Sequence, residues 1–217
     1  MTGTGDGMHR GLPVLTAGVP LVEARAAMIM VHGRGASAHD ILLLAQEWRA
    51  AKIAYLAPQA ANNTWYPNRF IAPVATNEPW LSSALASVDD VLQTVAAAGI
   101  AADHTVLLGV SQGGCLALEF AARNPLRYGA VVGLSAGLIE NGDKPRPYSG
   151  TLAGTPVFLG CSDVDFHIAL ERVERSAEIL SHLGGEVDKR IYRNMGHTII
   201  RDELEAVQQI LDRLLTN

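Results

Sequence analysis

The chain has 217 residues, 48% of them apolar and 18% charged, which suits one α/β domain with a full core and excludes a disordered chain. Its net charge of −5, with Lys and Arg scattered rather than clustered, gives no basic footprint for a nucleic-acid backbone. Two cysteines, Cys115 and Cys161, cannot make a disulfide scaffold and read as small buried apolar residues.

Residues 1–13 are Gly-rich and polar, without the apolar stretch of a signal peptide, and are expected to form a flexible N-terminal segment. A single domain is expected over 14–217. No run approaches the roughly 18 apolar residues of a membrane span, so a cytoplasmic protein with no stable membrane insertion is expected.

In chain order, Ala26–Val31 reads as a buried strand running into His32-Gly33-Arg34-Gly35. A helix fits about Asp40 to Ala50, with Ser37 or Asp40 as N-cap, and Ile53–Leu56 reads as the next strand. The stretch Ala57–Pro79 is long and irregular and holds Trp65, Tyr66 and Phe70; loops of that length in compact domains are usually functional. Apolar spacing at Leu85, Val88, Leu92 and Val95 predicts a helix over Leu81–Ala98, closed by Gly99. A strand at Thr105–Val110 then feeds a helix at Gly113–Arg123, and Ala130–Leu134 is a strand followed by the turn-rich Gly137–Thr155. The remaining elements are a strand at Pro156–Leu159, a helix at Ile168–Leu183, a strand at Val187–Tyr192 and a helix at Asp202–Leu215. Short apolar runs alternating with amphipathic ones give an α/β fold with a mostly parallel sheet.

Gly109-Val110-Ser111-Gln112-Gly113 matches G-x-S-x-G between a buried strand and an apolar helix, the context of a nucleophile elbow. Small residues two before and two after the serine let the chain turn sharply enough to expose its hydroxyl. Gly133-Leu134-Ser135-Ala136-Gly137 carries the same pattern after a strand, but a Pro-rich turn follows it instead of a helix. Ser111 is therefore the expected nucleophile.

With His32-Gly33-Arg34-Gly35, Trp65-Tyr66-Pro67, Phe70, the elbow, Gly160-Cys161-Ser162-Asp163 and Gly196-His197-Thr198 in this order, the chain resembles the bacterial phospholipase/carboxylesterase branch of the α/β-hydrolases, relatives of the acyl-protein thioesterases. The resemblance runs from about Ala26 to Asn217. It implies an α/β-hydrolase fold with a mostly parallel central sheet, helices on both faces and no large lid domain. It also implies a homodimer.

A serine needs a general base, and the base needs a carboxylate behind it; in this fold they arrive in the chain order Ser, acid, His. His197, in the loop after Val187–Tyr192, is the expected base, while His182 lies inside a helix. Asp163 and Asp165 both follow Pro156–Leu159, and spacing alone leaves the pair open. The family pattern, with the acid three residues after Gly160, selects Asp163. The backbone N–H groups of Gln112 and Arg34 are the expected oxyanion donors. Trp65, Tyr66 and Phe70 are expected either to wall the substrate site or to pack as a satellite core. The Arg34 side chain either reads an anionic group or lies solvated.

The expected activity is hydrolysis of carboxylic esters of small molecules through an acyl-enzyme on Ser111, with no cofactor and no metal. A thioesterase or lysophospholipase on the same machinery is the alternative. So, from another class, is a non-catalytic binding protein on the hydrolase fold.

Overall fold

A computed structural model describes residues 7–142 and 147–216. The elements in order are β1 (Val14–Gly18), β2 (Ala26–Val31), α1 (Ala38–Leu42), β3 (Ile53–Pro58), α2 (Trp80–Ala97), β4 (Thr105–Val110), α3 (Gln112–Arg123), β5 (Ala130–Leu134), β6 (Pro156–Ser162), α4 (Leu170–His182), β7 (Glu186–Tyr192) and α5 (Arg201–Thr216), with short 3-10 turns between some of them. The seven strands form one sheet in the order β1-β3-β2-β4-β5-β6-β7. β1 runs antiparallel to β3 and every other pairing is parallel.

Helices cover both faces, and the strand side chains alternate between them. Ala27, Ile29 and Val31 of β2, Leu107 of β4 and Val157 and Leu159 of β6 pack with α2, α3 and α4. Ala26, Met28 and Met30, Val106 and Leu108, and Phe158 pack with α1 and α5. A strand buried on both faces has no polar side to alternate with, which is why AAMIMV and TVLLGV read as continuous apolar runs. Parallel strands also bring the carboxyl ends of β2, β4, β5, β6 and β7 to one edge of the sheet, where ligands bind in such folds.

Three of the elements differ from expectation. β1 has no counterpart in the sequence reading, because four of its five residues are exposed and the fifth is half-buried, so VLTAG carries no apolar alternation. The helix expected over Asp40 to Ala50 is α1 alone, five residues long and followed by a 3-10 turn at Leu43–Glu47. Ser37 caps it, with Asp40 as the reciprocal third residue of a capping box. β6 runs on to Ser162, three residues beyond the expected Leu159.

Of the segment expected to be flexible, residues 1–6 lie outside the described residues, and residues 7–13 are mostly exposed but are anchored at His9 and Arg10. His9 is buried, with its ring 5.3 Å from that of Trp65 and 5.5 Å from that of Trp80. Its amide donates to Ser83 Oγ at 2.9 Å, and Arg10 forms a two-bond ion pair with Asp90. Among the described residues no helix is long and apolar enough to cross a membrane.

Candidate active site

Ser111 stands at the turn between β4 and α3 with φ 54° and ψ −121°, a left-handed conformation that costs a non-glycine residue on the order of 1–3 kcal/mol. The surroundings enforce it. The Ser111 amide donates to Leu134 O, and its carbonyl accepts from the Cys115 amide, both at 2.9 Å. A Cβ on Gly109 would lie 2.2 Å from Gly113 O, and one on Gly113 would lie 2.1 Å from Val31 O. The two glycines of the motif are thus fixed by the closeness of backbone on either side of the turn.

His197 reaches the elbow from the loop after β7. Its Nε2 is 3.0 Å from Ser111 Oγ, and its Nδ1 is 2.7 Å from Asp165 Oδ2. An ionised carboxylate only accepts, so Nδ1 carries the proton and Nε2 is left to accept from the serine hydroxyl. Asp165 Oδ1 also accepts the amides of His167 at 2.8 Å and Ile168 at 3.1 Å. Burial by itself raises the Asp165 carboxyl, but the hydrogen bonds from His197 and the two amides outweigh it and hold the group below the ordinary carboxylate range.

The carboxylate that meets His197 is therefore Asp165, not Asp163. Asp163 is exposed, and its Oδ1 accepts the Asn194 amide at 2.8 Å from outside the loop. The cause is the longer β6: with the strand running to Ser162, Asp163 is the first residue past it, and its amide still donates to Tyr192 O at the end of β7. Two residues later the turn carries Asp165 beneath the imidazole.

Arg34 and Gln112 flank the serine. Neither backbone N–H donates to another group among the described residues, which leaves both for an incoming oxygen. Their side chains do a second job. Gln112 Oε1 accepts the Trp65 amide at 2.9 Å, and its Nε2 donates to Tyr66 O at 2.8 Å. The Arg34 guanidinium donates to Pro67 O at 2.9 Å and to Tyr66 O and Asn68 O at 2.8 Å. The two residues hold the irregular stretch before α2 as a wall.

Between that wall and the serine lies a cavity of about 580 Å³. Tyr66 and Phe70 line it, with Cys115 and Ile168. Trp65 does not, which corrects its expected place in the substrate site. It is fully buried behind the wall, its indole N–H donating to His32 O at 2.8 Å and its ring 5.0 Å from that of His32.

The sequence pattern of the phospholipase/carboxylesterase family matches residues 19–215. This chain belongs to that family. It is thus a member of a family of esterase-type hydrolases. A phospholipase/carboxylesterase from Dyadobacter fermentans, whose crystal structure is known, is 38% identical, with a TM-score of 0.89 over 93% of this chain and 96% of that one. Acyl-protein thioesterase 1 of Gibberella zeae is 26% identical over 214 residues, 88% of this chain and 91% of its own. The carboxylesterase of Bacillus cereus is 18% identical with a TM-score of 0.74 over 94% of this chain and 95% of that one, a likeness of fold.

Against this family background the second G-x-S-x-G is informative. Ser135 is also left-handed, at φ 47°, but it is buried, and among the described residues its hydroxyl meets only Thr198 O at 3.5 Å. Both turns are strained, and the hydroxyl that meets a histidine is that of Ser111. Two residues went unread in the sequence. One is the Gln112 side chain, masked by the interest of its backbone. The other is His167, whose ring packs edge-on to that of His197 at 4.8 Å and lines the cavity. Its position two residues after Asp165 was the available signal.

Proposed function

We propose that this phospholipase/carboxylesterase family member hydrolyses carboxylic esters through an acyl-enzyme on Ser111, with His197 as general base, Asp165 as the carboxylate behind it, and the Arg34 and Gln112 amides as oxyanion donors. The observation that carries the proposal is the unbroken hydrogen-bond relay from Ser111 Oγ through His197 to Asp165. His197 Nε2 takes the serine proton as Oγ attacks the ester carbonyl, and the two amides receive the oxygen as it becomes anionic. The tetrahedral intermediate collapses with loss of the alcohol, which leaves with the proton from His197. Water, deprotonated by the same nitrogen, then attacks the acyl-serine, and the second intermediate releases the acid as its bond to Ser111 Oγ breaks and His197 returns the proton to that oxygen. Asp165 stabilises the imidazolium and stays ionised throughout.

Tyr66 and Phe70 supply the wall against which the substrate chain lies. The same machinery cleaves thioesters and lysophospholipids, and the name of the Gibberella relative is a reason to include a thioester in the assay. Both cysteines are free and buried, which suits a reducing cytoplasm.

The test is turnover of short-chain p-nitrophenyl esters, an acyl thioester and an anilide by the wild-type chain and by Ser111→Ala. Hydrolysis of the esters that disappears in the variant supports the proposal. Activity retained in Ser111→Ala refutes it.

A further inference from the structure

The cavity beside Ser111 is cationic in a chain that is acidic overall. Arg34, Arg69 and His167 line it, and no Asp or Glu does among the described residues. Each arginine is oriented by neutral oxygens instead of carboxylates. Arg34 is fixed by the three carbonyls of residues 66–68, which take three of its five N–H groups. Arg69 is exposed and donates once, to His167 O at 3.3 Å, a bond that ties it across the cavity mouth to the loop carrying Asp165. Neither makes an ion pair among the described residues. Carbonyls orient a guanidinium without cancelling its charge, so the cavity presents a fixed cation in its wall, Arg34, and a more loosely tethered one at its mouth, Arg69, both with donors to spare.

A purely apolar ester gains nothing from that arrangement. A carboxylate does, because a guanidinium matches it in shape and charge, and Arg34 is already placed while Arg69 stands at the mouth with most of its donors unused. We propose that the preferred substrates are esters bearing a free carboxylate, with Arg69 as the residue that reads it and Arg34 supporting from the wall. This rests on the ester-hydrolase reading above and narrows it to a substrate class.

The experiment compares esters matched in shape but not in charge. On the acyl side the pair is monoethyl glutarate and its amide counterpart, ethyl 4-carbamoylbutanoate. On the alcohol side it is 4-acetoxybutanoate and 4-acetoxybutanamide. Acid release is followed for the wild type, Arg69→Gln and Arg69→Glu. The readout is the ratio of kcat/KM for the charged over the neutral member, which cancels any general loss of activity in a variant.

The wild-type ratio is expected to exceed one by roughly threefold to fivefold in at least one pair, mainly through KM, since an exposed charge contact is worth about fivefold at best. It should fall as salt rises from about 20 to 500 mM. Arg69→Gln should bring it near one, and Arg69→Glu should invert it. The pair that shows the effect identifies the side of the ester that carries the carboxylate. A wild-type ratio at or below one in both pairs, or a ratio unchanged in Arg69→Glu, overturns the proposal. Failure of the hydrolase reading would look different: the neutral esters too would show no turnover that depends on Ser111.

Discussion

Replacing Asp165 by Asn separates the two candidate carboxylates. The carboxamide oxygen can keep the bonds that Oδ1 now accepts from the His167 and Ile168 amides, so the turn is retained. The amide NH₂ then faces His197 Nδ1 in place of Oδ2, now 2.7 Å away. It can only donate, so Nδ1 must accept and the proton moves to Nε2. That nitrogen, 3.0 Å from Ser111 Oγ, can no longer take the serine proton. A wrong tautomer in this arrangement costs roughly 10³–10⁴ in rate, or about 4–5.5 kcal/mol of transition-state stabilisation. Asp163→Asn keeps an oxygen for the Asn194 amide and touches nothing in the relay, so a loss of no more than about threefold is expected. The assay is kcat/KM on a short-chain p-nitrophenyl ester near neutral pH, with thermal unfolding followed in parallel. A large loss in Asp163→Asn, or a loss below about tenfold in Asp165→Asn, would refute the reasoning.

Gly113→Ala places a Cβ 2.1 Å from Val31 O and should destabilise the fold by about 3 kcal/mol, lowering Tm by roughly 6–12 °C on thermal unfolding. Glu203 lies fully buried at the start of α5; Oε2 accepts the Ile200 amide, Oε1 has no partner among the described residues, and burial raises its pKa from 4.5 to about 7. Its folded pKa is above its unfolded one, so it stabilises most below the unfolded value and loses that contribution as pH rises through the folded one. The loss between pH 5 and 8 is on the order of 2–3 kcal/mol, and the wild type should lose that much more stability than Glu203→Gln across this window in denaturant titrations. Arg34→Lys replaces a fork that spans three carbonyls with one that cannot, freeing the wall at residues 66–69. Limited trypsinolysis after Arg69 should then run several times faster than in the wild type, and equal rates would contradict the role given to Arg34.

Much of this architecture is written in strands whose two faces are both covered. β2, β4 and β5 are legible because nearly every residue is apolar, and Ser111 is legible because two glycines and an apolar helix surround it. β1 is not, since an exposed edge strand needs no pattern beyond pairing with β3. Asp163 and Asp165 differ by where β6 stops, and a strand end is set by pairing with β7 up to Ser162↔Tyr192, a long-range fact. Trp65, Tyr66 and Phe70 look alike in sequence; which of them faces the cavity is decided by the Gln112 and Arg34 side chains that fold the wall over. The anchoring of His9 and Arg10 depends likewise on partners far along the chain, Ser83 and Asp90.

Treatment with a fluorophosphonate, followed by mass-spectrometric mapping of the adduct, tests the nucleophile most directly. Only a serine whose proton is withdrawn by a neighbouring base reacts at a useful rate. The account predicts one adduct, on Ser111, absent in Ser111→Ala and formed far more slowly in His197→Ala. An adduct on Ser135, or full esterase activity with no adduct at all, would contradict it.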